Sequence, residues 1–221
     1  MTLDHIEIRL GAPNDLRAKA AQIYYAAFHL KLTPVLGSVE HGIAILQQDM
    51  DLDRAIVALS QNHLLGIAGI KHDHRRLVNF RRSTFAHEFG WLGGLFRYLM
   101  LQFANRRERA HELLMDGIAV DSIARGKGIG TRLLNAVFDF ARAKGYQSIR
   151  LDVVDTNPRA RQLYDRMGFV PTQTQHYRII SIKRGKTAGC LGALRYAVCM
   201  SDDWAIRSSS SQLPMNYPPN Y

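Results

Sequence analysis

Cysteine is nearly absent from this 221-residue chain, which has only Cys190 and Cys199, both close to the C-terminus. A pair so sparse forms neither a disulfide framework nor a metal-ligand spacing, so the expectation is a reducing, cytoplasmic setting and no metal. Long apolar runs are missing too. No stretch approaches the ~18 residues that cross a bilayer, and the N-terminus lacks a basic-then-apolar leader, so no membrane partner is expected. Acidic residues are scarce, 19 Asp and Glu against 29 Lys and Arg, giving a net charge of +10. That excess points to a polyanion, whether nucleic acid, an anionic membrane or a phosphorylated cofactor. With 47% apolar and 22% charged residues the chain is neither disordered nor collagen-like. At this length it buries about 70% of its unfolded surface and needs no metal or disulfide to fold.

The pattern along the chain predicts one α/β domain. Ile6, Ile8 and Leu10 alternate as in a short strand, and Pro13-Asn14-Asp15 starts a helix carrying Leu16, Ala20, Ile23 and Ala27. A second helical stretch covers about Ser38–Gln48. Arg54–Ser60 and Leu64–His72 read as a hairpin, followed by a basic connector, Asp73–Arg82. Ser83 is placed to cap a helix with Phe85, Phe89, Leu92, Phe96 and Leu99 on one stripe, weakened by Gly90, Gly93 and Gly94. Leu113–Val120 and Ser148–Val154 are strands, with an amphipathic helix, Thr131–Lys144, between them. Asn157 and Pro158 open another helix, with Ala160, Leu163, Tyr164 and Met167 inward. Phe169–Val170 and His176–Lys183 read as two last strands. The patterned domain is assigned to residues 1–184, and 185–221 to a weakly patterned extension ending in Ser- and Pro-rich sequence.

The informative segment is the turn Arg125-Gly126-Lys127-Gly128-Ile129-Gly130 between a buried strand and a helix. Glycines at a helix N-terminus let several backbone N–H groups converge on an anion, with the helix dipole behind them. A Walker A loop needs a Gly-Lys-Ser/Thr ending that is absent here. A dinucleotide fingerprint needs Gly-x-Gly-x-x-Gly directly after the strand. Here the glycines alternate and four residues intervene, although Asp152 supplies an acid at the end of the next strand. A nucleotide-binding oxidoreductase is thus the third-ranked reading.

Val120-Asp121, the Arg125–Gly130 turn, Thr131 and Leu133-Leu134 together resemble the signature of the GNAT superfamily of acyl-CoA-dependent N-acyltransferases. Arg125, Gly128 and Gly130 match its Arg/Gln-x-x-Gly-x-Gly/Ala turn. The resemblance continues into Asn157-Pro158-Arg159-Ala160-Arg161-Gln162-Leu163-Tyr164 and Met167-Gly168-Phe169, similar to the family's Asn-x-x-Ala-x-x-x-Tyr helix and Gly-Phe strand start. It covers about Leu113–Val170. It implies a mixed, mostly antiparallel central sheet flanked by helices and splayed at the cofactor-binding strand.

The resemblance also implies a site. Acetyl-CoA would be the co-substrate, its pantetheine arm paired with Ile118, Ala119 and Val120. Its diphosphate would lie on Arg125, Gly126, Lys127, Gly128, Ile129 and Gly130, with Thr131 at the helix start and Asn157 as a further cofactor contact. Tyr164 would serve the departing thiolate as acid. Asp116, on the strand, is the first candidate for a base, with Glu88 and Glu112 in reserve. The implied reaction moves an acetyl group to a primary amine: a small molecule, a peptide N-terminus or a lysine. A homodimer is compatible with it. The alternative is a non-catalytic acyl-CoA-binding regulatory module. A nucleic-acid reading has only the charge and the Lys71, Arg75, Arg76, Arg81, Arg82 cluster behind it, with no recognition motif.

Overall fold

The computed structural model describes residues 5–103, 110–154, 157–178 and 190–200. In chain order the elements are β1 (Glu7–Leu10), α1 (Arg17–Leu36), α2 (Val39–Asp49), β2 (Ala55–Ser60) and β3 (His63–Lys71). Then come α3 (Arg82–Phe103), β4 (Glu112–Val120), α4 (Ile129–Ala143), β5 (Ser148–Val154), α5 (Pro158–Arg166), β6 (Val170–Arg178) and β7 (Cys190–Cys199). They form a seven-stranded sheet in the order β1-β2-β3-β4-β5-β7-β6. Every neighbouring pair is antiparallel except β4–β5. This is the mixed sheet that the resemblance implies.

The sheet is covered on both faces, so β2 reads as an unbroken apolar run rather than an alternation. Ile56 and Ala58 join Leu65, Ala68, Ile70, Leu113 and Met115 against Leu133, Leu134, Val137, Phe138 and Ala141 of α4. Val57, Leu59 and Ile67 face the other way, onto Ala20, Ile23, Tyr24, Ile45, Leu46 and Phe85 of α1, α2 and α3.

Two irregularities in β4 make the site. Gly117 pairs with Gly69 and Met115 with Ile70, so Asp116 is the extra residue of a β-bulge. The face that β4 turns to α4 therefore changes parity, from Leu113 and Met115 to Ile118 and Val120. Farther along, β4 leaves its parallel neighbour. Only Glu112, Leu113 and Leu114 pair with Ser148, Ile149 and Arg150. From Met115 to Val120, the edge of β4 facing β5 has no strand partner among the described residues.

Several elements differ from expectation. Helix α1 continues past Ala27 to Leu36, with Pro34 in its last turn and Gly37 closing it at φ 80°. Ser83 is not the cap of α3. That role falls to Asp49 of α2, whose carboxylate accepts from the Arg81 N–H at 2.9 Å, Arg81 Nε at 2.7 Å and Thr84 Oγ1 at 2.7 Å. The connector is accordingly more than a solvated loop: Arg81 neutralises buried Asp49 and Arg75 reaches Asp51 at 2.6 Å. Gly90 takes φ 73°, ψ 169° and breaks α3 into two halves. Phe85 is buried, but Leu92, Phe96 and Leu99, placed on the same stripe by sequence, are exposed. The two expected last strands are one, β6, and 179–183 lie outside the described residues. Finally, the sheet runs past 184. β7 inserts between β5 and β6, pairs along all of β5, and buries Tyr196 and Val198.

Candidate active site

The split between β4 and β5 opens a cavity of about 910 Å³. Its floor is the β5-facing edge of Gly117-Ile118-Ala119-Val120, and its far wall is Asp152 and Val153 of β5 with Asn157, Ala160, Leu163 and Tyr164 leading into α5. Helix α1 supplies the lid side, Ala26 to Lys31. Gly117 is needed here: its φ is 149°, and a Cβ would lie 2.3 Å from the Phe28 ring that packs on this strand.

The glycine turn closes one end. Gly126 and Gly128 have φ 78° and 76°, a backbone that L side chains avoid, and a Cβ on either would meet only open space. Gly128 is the α4 N-cap and offers no side-chain cap, so the first amides of the helix, from Ile129 to Thr131, have no intrahelical partner. They stand at the cavity rim with the positive end of the helix dipole behind them. Gly130 brings α4 and α5 together; a Cβ there would touch Leu163 at 3.0 Å.

The turn is anchored from behind. Asp121 accepts from Ile123 N–H at 3.2 Å and Ser122 Oγ at 3.3 Å, and pairs with Lys19 of α1 at 2.6 Å. Burial opposes its charge, but the Lys19 hydrogen bond, the Ile123 amide and Lys19's attraction prevail and hold its carboxyl below the usual range. Arg125 folds back to donate from Nε to the Val120 carbonyl at 3.3 Å. Lys31, Arg125, Arg159 and Arg166 line the cavity, and Asp152 is the one carboxylate residue on its wall. That carboxylate turns away: its side chain is 2% exposed and lies 3.5 Å from Arg195 of β7. The cavity is therefore electropositive.

Tyr164 is 4% exposed, with its ring against Phe169 and Tyr196 at centroid distances of 5.6 and 6.1 Å. Burial pushes its phenol well above the ordinary range, so it keeps its proton at any physiological pH. Asn157 caps α5 by accepting from the Ala160 N–H at 3.1 Å, which leaves its residue at the cavity edge.

The structure thus brings together Ile118, Ala119, Val120, Arg125, Gly126, Gly128, Ile129, Gly130, Thr131, Asn157 and Tyr164 around one space. Lys127 is exposed on the turn without lining it. Asp116 sits half-buried in the bulge against Gly69. Glu112 starts β4 far from the turn and pairs with Arg150 at 2.8 Å. Glu88 lies on α3 beside His41 and His87. None of the three lines the cavity. The α1 segment Ala26–Lys31 was missed from sequence, where it carries only a core stripe, and Arg159 and Arg166 were given no role there.

A splayed parallel pair with a glycine turn at its mouth matches a known family. The model of the acetyltransferase (GNAT) family matches residues 24–169. The chain belongs to the GNAT family. Among curated relatives, an uncharacterized N-acetyltransferase, YobR, from Bacillus subtilis is 35% identical over 65 residues, 29% of this chain and 26% of that protein. A thialysine N-epsilon-acetyltransferase from Bos taurus is 32% identical over 71 residues, 32% of this chain and 42% of that protein. The matches therefore span less than half the length of these relatives. Solved GNAT structures agree in fold over nearly the whole chain. A GCN5-related N-acetyltransferase from Kribbella flavida gives a TM-score of 0.57 at 17% identity, covering 90% of this chain and 99% of its own. YncA from Salmonella typhimurium, a putative acetyltransferase solved with its cofactor acetyl-CoA, gives 0.54 at 17%, covering 90% and 96%.

Proposed function

We propose that this GNAT protein is an N-acetyltransferase that moves an acetyl group from acetyl-CoA to a primary amine by direct attack in a ternary complex. The observation that carries this reading is the gap between β4 and β5 with the Gly126–Gly130 turn at its rim: free strand edge for an amide-bearing arm, free helix amides for a diphosphate. Lys31, Arg125, Arg159 and Arg166 add the positive charge that a phosphorylated co-substrate needs.

In this reading the Ile118–Val120 strand edge aligns the thioester, and its N–H groups stabilise the oxyanion formed on amine attack. The C–N bond forms, the C–S bond breaks, and the thiolate leaves toward Tyr164. A phenol with so high a proton affinity acts first as a hydrogen-bond donor. The same dry surroundings raise the proton affinity of the sulfur, so the proton can follow. The proton lost from the amine goes to solvent or, through water, to Asp116 in the β4 bulge. The acceptor class is a small-molecule amine or a peptide N-terminus or lysine. No described helix is long and apolar enough to cross a membrane, and a cytoplasmic location is part of the same proposal.

Calorimetry with acetyl-CoA tests it. The wild type should bind saturably, and NADH should not. Gly128→Glu, which puts an anion and a strained backbone at the rim, should abolish binding while far-UV dichroism stays native. Release of free CoA with a panel of amines then separates an enzyme from a binding module. Saturable binding without release for any amine would favour the module; normal binding by Gly128→Glu would place the co-substrate elsewhere.

A further inference from the structure

The kink at Gly90 leaves the second half of α3 apolar on both sides. Its inner face is fastened to the protein. A Cβ on Gly94 would lie 2.4 Å from the Phe85 carbonyl oxygen, Tyr98 meets the Phe85 ring at 6.3 Å, and Arg97 donates to the Val35 carbonyl at 2.6 Å. Its outer face carries Trp91, Leu92, Leu95, Phe96, Leu99 and Met100. At about 100° per residue these six fill a continuous arc of about 180°. Trp91 is 64% exposed, Leu92 72% and Phe96 60%. No charged residue falls on the arc. A helix that is hydrophobic all round is normally buried, and an exposed apolar patch this continuous marks a docking surface.

We propose that this outer face of α3 docks on an anionic lipid surface. Charge decides between occupants. The chain is +10, and in sequence Arg82 precedes the arc while Arg106, Arg107 and Arg109, with the single acid Glu108 among them, follow it. That sum attracts an anionic bilayer and opposes a second copy of the same cation. Tryptophan, phenylalanine and leucine on one rigid face of a strongly basic chain is the chemistry of a helix lying in the headgroup layer, and nothing here requires a spanning segment.

Co-sedimentation of the full chain with lipid vesicles tests this, using phosphatidylcholine alone and with about 30 mol % phosphatidylserine, near physiological salt. The expected result is sedimentation with the anionic vesicles alone, reduced at least about tenfold by Leu92→Gln/Phe96→Gln and weakened by high salt. Both positions are so exposed that the variant should melt as the wild type does. As an independent readout, the emission of Trp91 in a Trp204→Phe background should shift to the blue on the same vesicles. Failure to sediment with either lipid overturns the proposal. So does a dimer in analytical ultracentrifugation that the double variant dissolves, which would give the face to a second copy. Equal binding to both vesicle types removes the charge argument.

Discussion

A chain that stops at residue 184 should not fold, although sequence patterning ends there. The comparison is with a chain ending at Met200, so that the two differ by β7 and the segment leading to it. β7 pairs with β5 along all seven positions, Ser148 to Val154, and with β6 on its other edge. Removing it leaves β6 without a strand neighbour among the described residues. It also removes Tyr196, 1% exposed, and Val198, 5% exposed. Each is a fully buried side chain contributing about 2–3 kcal/mol. Tyr164 and Phe169, which lie against or near Tyr196, would become exposed as well. The sum is at least about 5 kcal/mol, against a total of about 5–15 for a domain. Thermal melts followed by far-UV dichroism should show a cooperative transition for 1–200 and none for 1–184. Acetyl-CoA binding should go with it, since Tyr164 loses one of its walls. A cooperative melt of 1–184 within a few degrees of the longer chain would refute the reasoning.

Three other outcomes are expected. Tyr164→Phe should lower turnover roughly 10²-fold at saturating substrate, with acetyl-CoA affinity nearly kept and stability changed by about 1 kcal/mol; unchanged turnover would return this tyrosine to the core. Asp49→Ala removes the acceptor of three hydrogen bonds and strands Arg81 and Thr84, so urea unfolding should show a loss of about 3–5 kcal/mol, with a loss below about 1 kcal/mol contradicting the capping role. Asp121 has a lowered pKa in the fold, so its stabilisation is complete above its unfolded value near 4 and fades as pH falls through the lower folded value. Lys19→Met should therefore destabilise at pH 7 but converge on the wild type as pH falls below Asp121's folded value, and a gap that persisted in acid after that carboxyl had titrated would show that Lys19 acts by packing.

The parts of the fold that sequence made legible are those whose cause is local. The stripe Leu133, Leu134, Val137, Phe138, Ala141 needs only helical geometry to be read as the inner face of α4, and Asn157-Pro158 is a cap by its own chemistry. The Gly126–Gly130 turn was legible because only glycine adopts its backbone cheaply. What stayed hidden depends on distant partners. Asp49 caps α3 from 32 residues away, so Ser83 looked like the cap. Leu92, Phe96 and Leu99 keep the period of a core stripe, and only the φ of Gly90 turns them outward. In β7, Leu194, Tyr196 and Val198 do alternate with Arg195, Ala197 and Cys199, but Gly185, Gly189 and Gly192 before them mask the start. The site divides the same way: the turn and Tyr164 carry a motif, whereas Ala26–Lys31 reach the cavity only because α1 crosses β4.

The extra residue at Asp116 has a consequence for how this strand tolerates change. Upstream of it, odd-numbered positions answer to the α4 core; downstream, even-numbered ones do. The two ends of β4 are thus out of phase, and a substitution rule learned at Leu113 or Met115 inverts at Ile118 and Val120. Deleting Asp116 itself would restore one phase throughout, and Leu113, Met115, Ile118 and Val120 would all keep their present layer, because the residue removed is the extra one. What the deletion takes away is the bend and added twist of a bulged strand, just where β4 parts from β5. Length at this point is thus specified by the shape of the cavity rather than by the core, and a chain without Asp116 should keep its cooperative melt while the gap between the two strands narrows.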